Sequence, residues 1–162
     1  PGTAIIEQNL ALSLLFEGDL EGAVSHYQTA IALAQPLTNT LVNTAIAYYE
    51  AGETDRAVET AREALDLDED LAPAYTVMGA AALESRQSEE ALADLQQAVA
   101  ADSSYCQAHY YLGLAYKSLG QTAEAIVAFE QALSTADDEA TRVQIRRYLN
   151  ELYGQESQHS SP

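Results

Sequence analysis

Basic residues are scarce in this chain: 7 Lys and Arg stand against 25 Asp and Glu, a formal net charge of −18. A field of that sign repels phosphate backbones and anionic membrane surfaces, so nucleic acid and lipid headgroups are excluded as expected partners. Cysteine is nearly absent too. The one thiol, Cys106, cannot close an internal disulfide, so nothing requires an oxidising compartment. Compartment stays open, with a cytoplasmic chain as the default. Pro1-Gly2 reads as the start of a trimmed chain, which leaves room for a removed signal or anchor. No run of eighteen apolar residues occurs, so no helix of this sequence is expected to insert in a membrane. Tryptophan is missing altogether, and there are only 4 Pro and 8 Gly in 162 residues, so helix breakers are few. With 48% of residues hydrophobic, the chain has enough apolar material for a single packed domain.

What is there is a period. Within residues 106–132, His109-x2-Leu112-Gly113-x2-Tyr116 is followed by Ala125-x3-Phe129-x2-Ala132. Small residues stand where two helices must approach closely, and large ones where the space between helices must be filled. Shifted back by thirty-four residues, Gly113, Ala125 and Ala132 become Gly79, Ala91 and Ala98; further shifts give Ala45, Ala57 and Ala64, then Ala11, Ala23 and Ala30. Every one is Gly or Ala. A fixed period of this length is the mark of a repeat array. The breaks inside the units are Glu17-Gly18-Asp19, Ala51-Gly52-Glu53, Ser85-Arg86-Gln87 and Leu119-Gly120-Gln121, and only Arg86 departs from the glycine that ends a helix most cheaply. Thr54, Ser88 and Thr122 follow as expected N-caps, with Leu20 a poor cap in the first unit.

The pattern resembles the tetratricopeptide repeat (TPR), with the family's tryptophan position taken by His109 and its late proline by Asp137. The resemblance implies an all-α fold: a right-handed helical solenoid of four helix-turn-helix repeats, at about 4–37, 38–71, 72–105 and 106–139, plus a C-terminal capping helix at about 140–153. These form one domain over 1–153, and the polar residues 154–162 are expected to be a flexible tail. In the cap, Ile145, Leu149 and Leu152 would pack inward and Arg142, Arg146, Arg147, Asn150 and Glu151 would face water.

No catalytic or ligand-binding constellation emerges. There is no Gly-x-Ser-x-Gly elbow, no phosphate-cradling loop, no His-Glu-x-x-His pair and no Cys-x2-Cys. The acidic run Asp66-Leu67-Asp68-Glu69-Asp70 lacks the Gly and the bidentate Glu of a calcium loop, since Leu71 and Val77 stand there. Cys106 and His109 suggest no third ligand. A non-enzymatic chain with no metal and no cofactor is expected.

In a TPR array the first helices of the repeats line a concave groove. The register assigns to it Leu12, Phe16, Asn43, Ile46, Tyr49, Tyr110, Tyr111, Leu114 and Lys117 as the partner-binding set. The charged residues expected on the groove are Glu50, Glu84 and Lys117, so binding there is expected to vary little with salt. Val42, Val77 and Ala80 have the alternative of packing between neighbouring first helices. The carboxylate clamp of chaperone-adaptor TPR domains maps onto Gln8, Leu12, Asn43, Pro73 and Val77, or one repeat later onto Val42, Ile46, Val77, Gln107 and Tyr111, and only Asn43 matches. The expected ligand is therefore a protein or peptide segment with apolar anchors, bound by an interaction module, scaffold or assembly factor. Tyr49 and Tyr110 are read as anchors and Tyr116 as part of the frame between helices. The alternative is a self-associating scaffold, a homo-oligomer, whose acidic convex surface, rich in carboxylates over residues 50–70, docks a basic partner.

Overall fold

The computed structural model describes residues 2–33 and 38–159. Nine helices and no strand occur among them. These are α1 (Gly2–Glu17), α2 (Leu20–Leu33), α3 (Thr38–Glu50), α4 (Thr54–Leu67), α5 (Ala72–Glu84), α6 (Ser88–Ala101), α7 (Cys106–Ser118), α8 (Thr122–Thr135) and α9 (Glu139–His159). Each odd helix packs on the even helix that follows it, each even helix on the next odd one, and α3, α5 and α7 touch in turn. That is the contact pattern of a solenoid, in which each unit buries its apolar face on its neighbours. The expected boundary between the first two repeats, at 37 and 38, falls partly on residues 34–37, outside the described residues.

The recurring small residues do what their size suggests. Ala11, Ala23, Ala45, Ala57, Ala64, Ala91, Ala98, Ala125 and Ala132 are completely buried. A methyl on Gly79 would lie 2.5 Å from Leu95 Cγ, and one on Gly113 2.7 Å from Phe129 Cε1, so in these two hairpins the large residue of the second helix fills the space the glycine leaves. Tyr27 occupies the position of Leu95 and Phe129 in the first repeat, facing Ala11 in place of glycine.

Helix ends depart from expectation. Thr54, Ser88 and Thr122 do not cap: the N-cap residues are Glu53, Gln87 and Gln121, none with a side-chain cap bond. Because the hydroxyls sit one position inside the helix, two of them reach across to the neighbouring repeat. The Thr54 hydroxyl donates to Glu84 at 3.3 Å, and Ser88 pairs with Ser118 at 2.7 Å. The first repeat, expected to start its second helix weakly at Leu20, is capped by Asp19, whose Oδ1 accepts the Gly22 N–H at 3.0 Å. Reading the cap one residue late hid this in the sequence. Arg86 does not break the turn pattern, since it takes a φ of 59° beside 80°, 78° and 73° at Gly18, Gly52 and Gly120.

The acidic run after α4 is a solvated turn in which the Asp70 N–H donates to Asp68 Oδ1 at 3.1 Å. No group of three or more metal-ligating side chains occurs among the described residues, and none of their helices is long and apolar enough to cross a membrane.

Helix α9 runs past the expected boundary at 153 to His159, and residues 160–162 of the expected tail lie outside the described residues. Its start is fixed by Asp138, whose carboxylate accepts the Thr141 N–H at 2.8 Å; the bonds from Thr141 hold that carboxyl below its ordinary pKa. Ile145, Leu149 and Leu152 are buried against α8, as the cap reading requires. Arg142 does not face water: Nε and Nη2 donate to the Ala136 carbonyl at 2.9 and 2.7 Å, closing the C-terminus of α8. Arg146, Arg147 and Asn150 are exposed.

Candidate functional site

The first helices form a concavity of about 460 Å³ lined by Leu12, Leu15, Phe16, Asn43, Ile46, Tyr49, Glu50, Pro73, Thr76, Val77, Ala80, Tyr105, Gln107 and Tyr111. Its floor is rigid because Thr76, Val77 and Ala80 are buried, and Val42 is buried beside them in the packing between helices. Thr76 is satisfied by the Ala72 carbonyl at 2.8 Å, so its hydroxyl costs nothing there. One wall is Phe16, the last but one residue of α1, which is 85% exposed. The opposite wall is an aromatic pair. Tyr49 and Tyr111 meet edge to face with centroids 6.5 Å apart, a favourable ring geometry. Burial, then the neighbouring Tyr111 and Glu84, push the Tyr49 phenol well above its ordinary pKa, and burial raises that of Tyr111. Both phenols are therefore neutral at physiological pH, and that of Tyr49 is engaged with Tyr111 and the Glu84 carboxylate.

Of the nine residues assigned from the register, the structure brings Leu12, Phe16, Asn43, Ile46, Tyr49 and Tyr111 together on this surface. Tyr110, Leu114 and Lys117 do not line it, although the Tyr110 ring meets that of Tyr111 edge to face with centroids 5.3 Å apart. The Tyr110 ring contacts Phe129 at 6.1 Å and Tyr148 at 6.2 Å, and its hydroxyl accepts from Gln144 Nε2 at 2.7 Å. Leu114 packs in the same α8 and α9 cluster. The Lys117 ammonium lies 3.1 Å from Glu151 and 5.1 Å above the Tyr148 ring. The reason is α9: it occupies the place of a fifth first helix, so the face of α7 that the register left open is covered by the cap.

Tyr105 lines the groove and was not assigned, because it precedes α7 rather than lying in it. A signal for it existed. Leu71 holds the equivalent position before α5 and is half-buried against the first core cluster, so an apolar residue just ahead of a first helix belongs to the repeat frame.

His109 is core, 7% exposed, with Nε2 2.9 Å from the Ser103 carbonyl. Cys106 Sγ donates to the Ala132 carbonyl at 3.3 Å, and burial raises its thiol pKa, away from a reactive thiolate. No catalytic arrangement involves either.

Comparison with known proteins agrees with this geometry. Models described as tetratricopeptide repeat match residues 2–70 and 106–138, and one described as TPR repeat matches residues 86–120. A search of curated proteins found no match. Among solved structures, a thermophilic TPR protein of Thermus thermophilus is 24% identical over 93% of this chain and 81% of its own, with a TM-score of 0.79. MamA from Desulfovibrio magneticus is 23% identical over 99% of each chain, with a TM-score of 0.70. Likeness at these identities speaks for the fold alone. Repeat models lying over both ends of an array of helical hairpins place this chain in the tetratricopeptide repeat family, whose fold serves as a protein-interaction scaffold.

Proposed function

We propose that the concave surface is a non-enzymatic binding site for a segment of another polypeptide, held through apolar and aromatic anchors by Leu12, Phe16, Asn43, Ile46, Tyr49 and Tyr111. The observation that carries the reading is the exposure of Phe16, 85%, at the edge of a cavity whose other walls are Ile46, Tyr49 and Tyr111. A large ring left in water beside an open aromatic cleft gains a partner's burial at little cost of rearrangement. The alternative reading, self-association, draws its support from the uncovered outer stripe of α1, where Ile6 is 65% and Leu10 42% exposed. Ile6 and Leu10 have the register of Thr40 and Thr44, which are buried in the second repeat.

A photo-crosslinking phenylalanine at position 16, with a second one at exposed Arg62 on the acidic convex surface, distinguishes the groove from the outer surface in cells. Crosslinked polypeptides specific to position 16 are the expected result. Products shared by both positions, or specific to Arg62, would move binding to the convex surface, and adducts between copies of the chain would establish the scaffold reading instead.

A further inference from the structure

Helices α1, α3 and α5 each end in an acid, Glu17, Glu50 and Glu84, and none has a base in its last turn. The C-terminus of a helix carries partial negative charge, so a carboxylate there is on the wrong end and costs stability where a lysine would add it. The Thr54–Glu84 and Ser88–Ser118 contacts show that the ends of α3, α5 and α7 lie side by side along one edge of the groove. None of the three acids has a cationic partner among the described residues, and the cation of the last first helix, Lys117, is taken by Glu151. The groove is therefore not of mixed charge, as its sequence suggested, but negative only.

Tyr49 and Tyr111 stand at the same edge. Glu50 follows Tyr49 in the chain, and both Glu50 and Glu84 act electrostatically on Tyr111. Two ring systems stand at the rim of a cleft beside two carboxylates, of which Glu84 is met by the Thr54 and Tyr49 hydroxyls and neither by a cation; aromatic π-faces and carboxylate oxygens both attract a cation, so the corner is of one chemistry. An anionic ligand finds nothing there. We propose that the corner formed by Tyr49, Tyr111, Glu50 and Glu84 seats a cationic side chain, lysine or arginine, of the polypeptide bound in the groove. The inference rests on the groove being a polypeptide-binding surface. It adds polarity to the ligand: apolar anchors reach Phe16, Leu12 and Ile46, and the base points to the edge where the first helices end. Acids placed against the helix dipole then have a use that offsets their cost, a local rule broken for function.

A phage-displayed library of random dodecapeptides, panned against the wild-type chain, Phe16→Ala and the double variant Glu50→Gln/Glu84→Gln, tests it. All three sites are exposed, and melting curves check that each variant folds. Wild-type chain is expected to select peptides with apolar residues and a Lys or Arg at a constant spacing. The double variant should bind those peptides about tenfold or more weakly, a loss in the range measured for close ion pairs at interfaces. Their affinity should also fall as salt rises. Peptides that depend on Phe16 yet show no preference for a base, or bind the double variant equally well, overturn the cationic seat and leave the groove reading standing. A library that yields no Phe16-dependent peptide overturns both.

Discussion

Arg86 holds a left-handed backbone, φ 59°, at the turn where the other three repeats have glycine. A side chain in that region costs about 1–2 kcal/mol, and glycine gives part of this back through its freer unfolded chain. Arg86→Gly is expected to stabilise the fold by about 0.5–1 kcal/mol, read from denaturant midpoints at unchanged slope. A loss of stability would mean that the exposed guanidinium contributes more than its backbone costs. Tyr27 is the other outlier at this scale: its ring is fully buried, its hydroxyl has no hydrogen-bond partner among the described residues, and burial pushes its pKa up to about 12. An unsatisfied buried hydroxyl is a liability, so Tyr27→Phe should be neutral or stabilising by up to about 1 kcal/mol. A destabilised Phe variant would reveal a partner for that hydroxyl.

Whole helices explain which parts of the molecule were legible in sequence. Gly79 and Gly113 announced their hairpins because size alone decides whether Leu95 and Phe129 fit, and size is written in residue type. Arg142 was misread because its role depends on a carbonyl, Ala136, that only the direction of α9 brings within 2.9 Å. The same helix decides the fate of Tyr110. Register treats Tyr110 and Tyr111 alike, whereas α9 gives Tyr110 a ring neighbour in Tyr148 and a donor in Gln144 and leaves Tyr111 facing the groove. Truncating Tyr110 to Ala is therefore expected to cost stability, about 2–3 kcal/mol, less than a fully buried ring because it is only half-buried. Tyr49→Ala should act chiefly on ligand affinity, by about 1–3 kcal/mol. Equal melting losses for the two variants would return Tyr49 to the core.

Across the whole molecule, the net charge of −18 sets two opposite responses to salt. Four ion pairs occur among the described residues, and one of them depends on a protonated His26 beside Glu7, so most carboxylates repel one another without compensation. Screening that repulsion should raise Tm by a few degrees as the Debye length shrinks from about 30 Å to about 8 Å. Over the same interval, affinity for a base-bearing peptide should fall. Parallel changes in Tm and affinity would show that the groove and the remainder of the surface respond to one field. The contacts between first-helix ends also make the array mechanically uneven. Thr54 with Glu84 and Ser88 with Ser118 stitch the second repeat to the third and the third to the fourth, but Leu20, at the equivalent position of the first repeat, has no hydroxyl to offer Glu50. The first coil is held to the second elsewhere, where Thr40 donates to Gln8 at 2.9 Å and Gln28 to Tyr48 at 2.8 Å, so only its end along that edge goes without a stitch. Phe16 stands at that unstitched end, so strain along the edge falls on the mouth of the groove before it reaches the wall carrying Tyr49 and Tyr111.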